Sequence, residues 1–146
     1  MQEVKIRNEE EYELFLKQKY DYQSRMSQKW QALGLTALVT PTFPHCSFKA
    51  EHADDMGLMG EYIFMWNTLN YPCGAMPITT VRKDEDGFYD WHADGWTQLL
   101  GETAEGSEGM PVSVQIIAHA WEDEKALAVM QSLDKQIGFR MNMPSV

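Results

Sequence analysis

Gly109-Met110-Pro111-Val112-Ser113-Val114-Gln115-Ile116-Ile117-Ala118 is the stretch whose reading decides the fold. It is an apolar run opened by a Gly/Pro turn and followed by the acidic segment Trp121-Glu122-Asp123-Glu124. Proline fixes φ and brings no N–H to a ladder, so a strand should start just after Pro111. A period of two puts Val112, Val114 and Ile116 on one face and Ser113, Gln115 and Ile117 on the other. The pattern is too mixed for a one-sided surface strand and too polar for a wholly apolar central one. It fits a sheet strand with a polar residue held at a special place.

Downstream, acids in the first turn and an apolar side of Ala126, Leu127, Met130, Leu133 and Ile137 predict a helix from Glu122 to Ile137, stopped by Gly138. Upstream, residues 82–108 read as a long acidic connection. Within it Asp94 is a candidate N-cap for a short helix through Leu100, with Trp96, Leu99 and Leu100 inward, and Glu102 to Glu108 read as solvated loop. Ala75 to Val81 reads as a second strand. Pro77 within it marks an edge or a bulge.

A helix from Met56 to Leu69 is apolar around most of its circumference, which predicts burial on several sides. Leu35 to Thr40 reads as a short buried strand ended by Pro41, followed by a loop with Pro44, His45 and Cys46 and a polar surface stretch over 47–57. Residues 9–33 form one long helix, with Tyr12, Phe15, Tyr22, Met26, Trp30 and Leu33 as its core stripe and Gly34 as its stop. The order is α-β-α-β-(short α)-β-α, an α/β arrangement. Three strands are a thin sheet for so much apolar helix surface, and that mismatch points to missing structure. The expected organisation is a single partial domain over 1–146, frayed at 1–8 and 139–146.

The chain has 146 residues, 44% hydrophobic and 12% aromatic, which excludes disorder for most of it. Residues 1–33 hold six basic and six acidic side chains, so the whole net charge of −10 arises from 34–146. Such acidity argues against a nucleic-acid surface and against attraction to anionic lipid. No segment approaches the roughly 20 apolar residues of a membrane helix, and the start lacks a signal-peptide core. Two cysteines, Cys46 and Cys73, make no disulfide framework, although a bridge between them stays open. An intracellular place is favoured over a secreted one, peripheral membrane association stays open, and no compartment is assigned.

Searched for chemistry, the chain offers little. His45, Cys46 and His52 lie close in sequence, yet no zinc-ligand spacing supports them, so no metal site is assigned. His92 and His119 read as isolated. Nothing flanking Cys46 or Cys73 activates a thiol, and the acids Asp84, Glu85 and Asp86 read as solvated loop. No glycine-rich phosphate loop is present, and no cofactor is expected.

Three blocks in order do carry a resemblance: Ala37-Leu38-Val39-Thr40-Pro41, then Asn67-Thr68-Leu69-Asn70-Tyr71-Pro72-Cys73-Gly74-Ala75-Met76-Pro77, then Gly109-Met110-Pro111-Val112-Ser113-Val114-Gln115. Together they resemble the C-terminal third of the amidase-signature hydrolases, with Met110 in a place the family usually gives to leucine. The branch of fatty acid amide hydrolases is the most similar. It shares the long 82–108 connection with Asp94 and Trp96, the helix end Lys29-Trp30-Gln31-Ala32-Leu33, and Trp121-Glu122-Asp123-Glu124. The resemblance spans about residues 10–138.

It implies the C-terminal part of a large mixed sheet with flanking helices, with Ala75–Val81 as the neighbour of the opening strand and Gln115 as a polar group held inside that larger sheet. It also implies hydrolysis of amides and some esters by a Ser-cisSer-Lys triad. In the family the lysine and a Gly-Ser-Ser-Gly-Gly region lie well upstream of the three blocks. Here Ser24, Ser27, Ser47, Ser107, Ser113, Ser132 and Ser145 are scattered and lack that glycine context. No catalytic residue is therefore assigned, and this polypeptide alone is expected not to hydrolyse amides. The resemblance implies substrate-pocket roles for Gly60, Phe64 and Trp121 along an acyl channel, with plain core packing as the competing reading.

The chain thus reads as the C-terminal fragment of a serine amidase for fatty acid amides or related acyl amides and esters. The expected partner is the N-terminal catalytic portion, or a second copy through exposed apolar surface, with no nucleic acid and no transmembrane segment. The alternative is a stand-alone, non-catalytic binding or regulatory module that pairs with a separate chain carrying the triad.

Overall fold

The computed structural model describes residues 7–46, 50–57, 60–87 and 95–140. In chain order the regular elements are α1 (Glu9–Ala32), β1 (Leu38–Pro41), α2 (Ala53–Met56), α3 (Glu61–Leu69), β2 (Cys73–Thr80), α4 (Gly95–Ala104), β3 (Pro111–Ile117) and α5 (Asp123–Ile137). Single 3₁₀ turns precede α2 at Ala50–His52 and follow β2 at Lys83–Glu85. The α/β order read from the sequence is observed, with the one-turn helix α2 added in the stretch 47–57 that was expected to be loop.

The opening stretch is the middle of the sheet. β3 pairs antiparallel with both β1 and β2, giving the order β1-β3-β2. Leu38 and Cys73 both stand opposite Ile117, and Gly74 stands opposite Ile116. Facing cross-strand partners share a side of the sheet, so Ile116 and Gly74 look towards α5 and Ile117 looks towards α1 and α3. Ile116, Ile117 and Ala118 are completely buried. β2 is an edge strand and shifts register between Pro77 and Thr79, the irregularity that proline without an N–H forces on a ladder.

The core on the α1/α3 side is aromatic. Trp30, Trp66, Leu69, Tyr71 and Ile117 form one buried cluster. The Trp30 and Tyr71 rings meet edge to face, with centroids 5.6 Å apart at 80°.

Helix ends explain where the strands begin. At the end of α1, Gly34 N donates to Gln31 O and Leu35 N to Trp30 O, a Schellman closure that needs Gly34 at φ 62°. That closure takes up Leu35, so β1 starts at Leu38 and not at the expected Leu35. Asn70, at φ 57°, closes α3 in the same way, with Tyr71 N donating to Trp66 O. The chain is thereby turned at once into β2, which starts at Cys73, ahead of the expected Ala75.

Several expectations change. The continuous helix from Met56 to Leu69 is broken: α2 ends at Met56 and α3 begins only after Gly60. Leu58 and Met59 lie outside the described residues. α3 buries Trp66 and Leu69 but leaves Tyr62 and Phe64 exposed, so it is not covered on several sides. The stripe of α1 is buried only towards its end, at Trp30 and partly at Met26, while Tyr12, Phe15, Tyr22 and Leu33 are exposed. The described part of this sheet is too short to cover the full helix.

α4 runs to Ala104, beyond the expected Leu100, and Glu102 to Glu108 is not plain solvated loop. Thr103, Ala104 and Ser107 are buried, and Ser107 donates from N and Oγ to Asp86 Oδ1 at 2.9 and 3.3 Å. The expected cap Asp94 and the side chain of Trp96 lie outside the described residues. On α5 Ala126 is buried, whereas Leu127 and Ile137 are exposed. Val112 and Val114 are half-buried and not full core. Cys46 and Cys73 are both free thiols.

Candidate functional site

β3 carries a buried polar side chain, and that residue sets the geometry around the β1–α3 groove. Gln115 is 2% exposed. Its Nε2 donates to Pro41 O at 3.1 Å and to Tyr62 O at 2.6 Å. Both amide hydrogens are therefore used to tie the end of β1 and the first turn of α3 to the central strand. Beside this brace lies a groove of about 320 Å³ lined by Thr40, Pro41, Glu61, Tyr62, Met65 and Trp66. Its walls are mostly apolar, and from the α1 side Tyr22 Oη reaches Met65 Sδ at 3.3 Å.

The three residues singled out for a substrate pocket fall into two places. Gly60 and Phe64 touch: a Cβ on Gly60 would lie 2.6 Å from Phe64 Cζ, so the ring folds back over the helix start and needs glycine beneath it. Phe64 is 53% exposed and does not line the groove. Trp121 lies elsewhere, in the turn before α5. It is 93% exposed and left-handed at φ 69°, a region that bulky residues avoid. These positions do not converge among the described residues.

Trp121 instead borders a cavity of about 420 Å³ between α1, the α3–β2 turn and the 119–122 turn. The sequence offered no warning of what this cavity holds. His119, read as isolated, has Nε2 2.8 Å from Ser27 Oγ, across 92 positions of sequence. Its ring leans on Tyr71 and Trp30, with centroids 5.3 and 6.3 Å away. Tyr71 is 6% exposed, its hydroxyl has no hydrogen-bond partner among the described residues, and burial pushes its pKa above the ordinary tyrosine value. Gln23 closes the side of the cavity by donating to Leu69 O at 3.1 Å. Only the fold brings Ser27 and His119 together, since no local spacing links them.

Cys73 Sγ donates to Tyr71 O at 3.4 Å, and partial burial raises its pKa. Cys46 Sγ stands 3.6 Å from His45 Nδ1. Among the described residues no three His, Cys, Asp or Glu side chains are grouped for a metal ion. His92 lies outside those residues, as does the side chain of His52. No described helix is long and apolar enough to cross a membrane.

With the geometry in hand, known proteins supply the frame. A solved fatty acid amide hydrolase superposes with a TM-score of 0.76 over 95% of this chain and 25% of that one; at 16% identity this likeness speaks for the fold alone. Fatty-acid amide hydrolase 1 of Sus scrofa is 25% identical over 118 residues, covering 78% of this chain and 20% of that protein. Fatty acid amide hydrolase 1 of Caenorhabditis elegans is 30% identical over 76 residues, covering 50% of this chain and 13% of the relative. The chain thus spans a fifth or less of the length of these relatives. The family model named Amidase matches residues 1–127, and the chain belongs to the amidase family.

Proposed function

We propose that this chain is the C-terminal part of a serine amidase that acts on fatty acid amides or related acyl amides and esters. It supplies the scaffold and one wall of the substrate pocket, while an N-terminal catalytic portion supplies the Ser-cisSer-Lys chemistry. The observation that carries this reading is the number of large apolar side chains left open on α1 and α3: Tyr12, Phe15, Tyr20, Tyr22, Tyr62 and Phe64. So much exposed apolar surface on two helices marks surface that another piece of protein covers. The substrate class is supported by the names of the two relatives, both fatty acid amide hydrolases. Gly60, Phe64 and Trp121 are assigned to the acyl side of the pocket once that covering portion is in place.

The test is complementation. The chain is co-expressed with an amidase N-terminal portion carrying the lysine and the Gly-Ser-Ser-Gly-Gly region, and hydrolysis of a long-chain fatty acid amide is measured. Activity in the pair and none in either part is expected. Amide turnover by residues 1–146 alone would overturn the proposal, and so would a monodisperse monomer that ignores the catalytic portion. Reading the coding sequence upstream of Met1 separates a fragment, which has that region in frame, from a module that pairs with a separate chain.

A further inference from the structure

We propose that Ser27 is an acyl-accepting nucleophile served by His119, in the cavity between α1 and the 119–122 turn, and that it takes its acyl group from oxygen esters. The proposal does not rest on the amidase reading, since neither residue lies in the three sequence blocks behind that reading. Three observations converge on it.

The Ser27 Oγ to His119 Nε2 distance of 2.8 Å is the reach of a nucleophile and its base. With the ring proton on Nδ1, Nε2 accepts the serine hydrogen. Both groups are held firmly: Ser27 is within the 24-residue helix α1, and His119 is fixed between two backbone hydrogen bonds, Ala118 N to Pro72 O and Glu122 N to His119 O. The cavity, at about 420 Å³, falls within the range of about 300–1,000 Å³ that small-molecule sites occupy. Ala120 and Trp121 border it on the apolar side, where an acyl group would lie.

Trp121 is held at a positive φ although its side chain is 93% exposed, so no packing of its own requires the strain. Strained non-glycine backbone clusters at ligand sites.

In the reaction Ser27 Oγ bonds to the ester carbonyl carbon while its proton passes to His119 Nε2. The tetrahedral oxyanion collapses, the carbon–oxygen bond to the leaving group breaks, and the alcohol departs with the proton from His119. Water then attacks the acyl-serine as His119 takes its proton. The carboxylic acid is released, and Ser27 recovers a hydrogen from His119. Among the described residues no carboxylate is hydrogen-bonded to His119, which restricts the pair to esters with good leaving groups and leaves amides untouched.

The full chain is treated with p-nitrophenyl acetate, following p-nitrophenolate release and the mass of intact protein and peptides. One acetyl group on the Ser27 peptide is expected, absent in Ser27→Ala and formed about 100-fold more slowly in His119→Asn. Circular dichroism establishes that the variants fold, and Ser27→Cys restores acylation as a thioester that still depends on His119. Acetyl groups spread over lysines, an adduct that survives Ser27→Ala, or an unchanged rate in His119→Asn overturns the proposal. Any of those results leaves the pair as a structural tie. They leave the amidase reading untouched, because that reading is tested on fatty acid amides with the catalytic portion present.

Discussion

Gln115 on β3 donates a 2.6 Å hydrogen bond to the backbone carbonyl of Tyr62 in the first turn of α3. With the 3.1 Å bond to Pro41 O, one buried amide ties the first turn of α3 to the end of β1 and to β3, beyond the backbone ladder the two strands already share. The polar residue that broke the apolar pattern of the strand is thus a brace for the β1–α3 groove.

Gln115→Leu keeps the volume and removes both bonds, so a loss of about 1–2 kcal/mol is expected. Gln115→Glu should cost more, because a carboxylate would face two carbonyl oxygens in a buried place. Urea titration checks this: the midpoint should fall in that order with an unchanged slope.

Gly74 on β2 lies against Met130 on α5, so closely that a Cβ would meet the methionine sulfur. Close approach of strand and helix is what this glycine allows. Gly74→Val is therefore expected to destabilise by about 1–3 kcal/mol through overpacking. Met130→Ala in the same chain should recover part of the loss, with a coupling of at least about 0.5 kcal/mol in a double-mutant cycle. Strict additivity would mean that β2 and α5 do not share this contact.

The fold was legible wherever local chemistry decides structure. Pro111, Gly34, Gly138 and Pro77 mark turns, stops and an edge strand by their own backbone limits, and the strand pairing of β2 with β3 was legible through the resemblance their two blocks carry. Burial was legible only in part, because periodicity gives a face and not what covers it. Tyr12 and Phe15 lie on the same stripe as Trp30, yet only Trp30 meets the sheet. The Ser27–His119 pair was invisible, since a contact across 92 residues leaves no trace in spacing.

Tyr71 gives a pH dependence with a definite sign. Burial raises its pKa in the folded chain above the unfolded value near 10, so folding favours the protonated phenol. Its contribution is fully present below that value and is lost as pH rises through the folded pKa, because the unfolded chain releases its proton first. Within that window stability should fall by up to about 1.4 kcal/mol per pH unit. Tyr71→Phe removes this share of the slope. Urea midpoints measured from pH 9 upward should fall more steeply for the parent chain than for Tyr71→Phe if Tyr71 is the group, and stay parallel if it is not.

Trp121 offers the sharpest separation of folding from function. A bulky residue at φ 69° carries strain of about 1–3 kcal/mol, and a side chain that is 93% exposed recovers almost none of it through packing. Asparagine adopts the left-handed region readily and does not enlarge the unfolded ensemble as glycine would. Trp121→Asn should therefore stabilise the chain by about 1 kcal/mol, a rise of about 3 °C in Tm for a domain of this size. Any site that uses the indole should suffer at the same time: acetylation at Ser27 slows, and the complemented amidase shows a raised KM for long acyl chains. Differential scanning calorimetry together with the two rate assays reads both effects. A Tm that falls in Trp121→Asn would mean that the indole is held by packing, and the strain argument would fail with it.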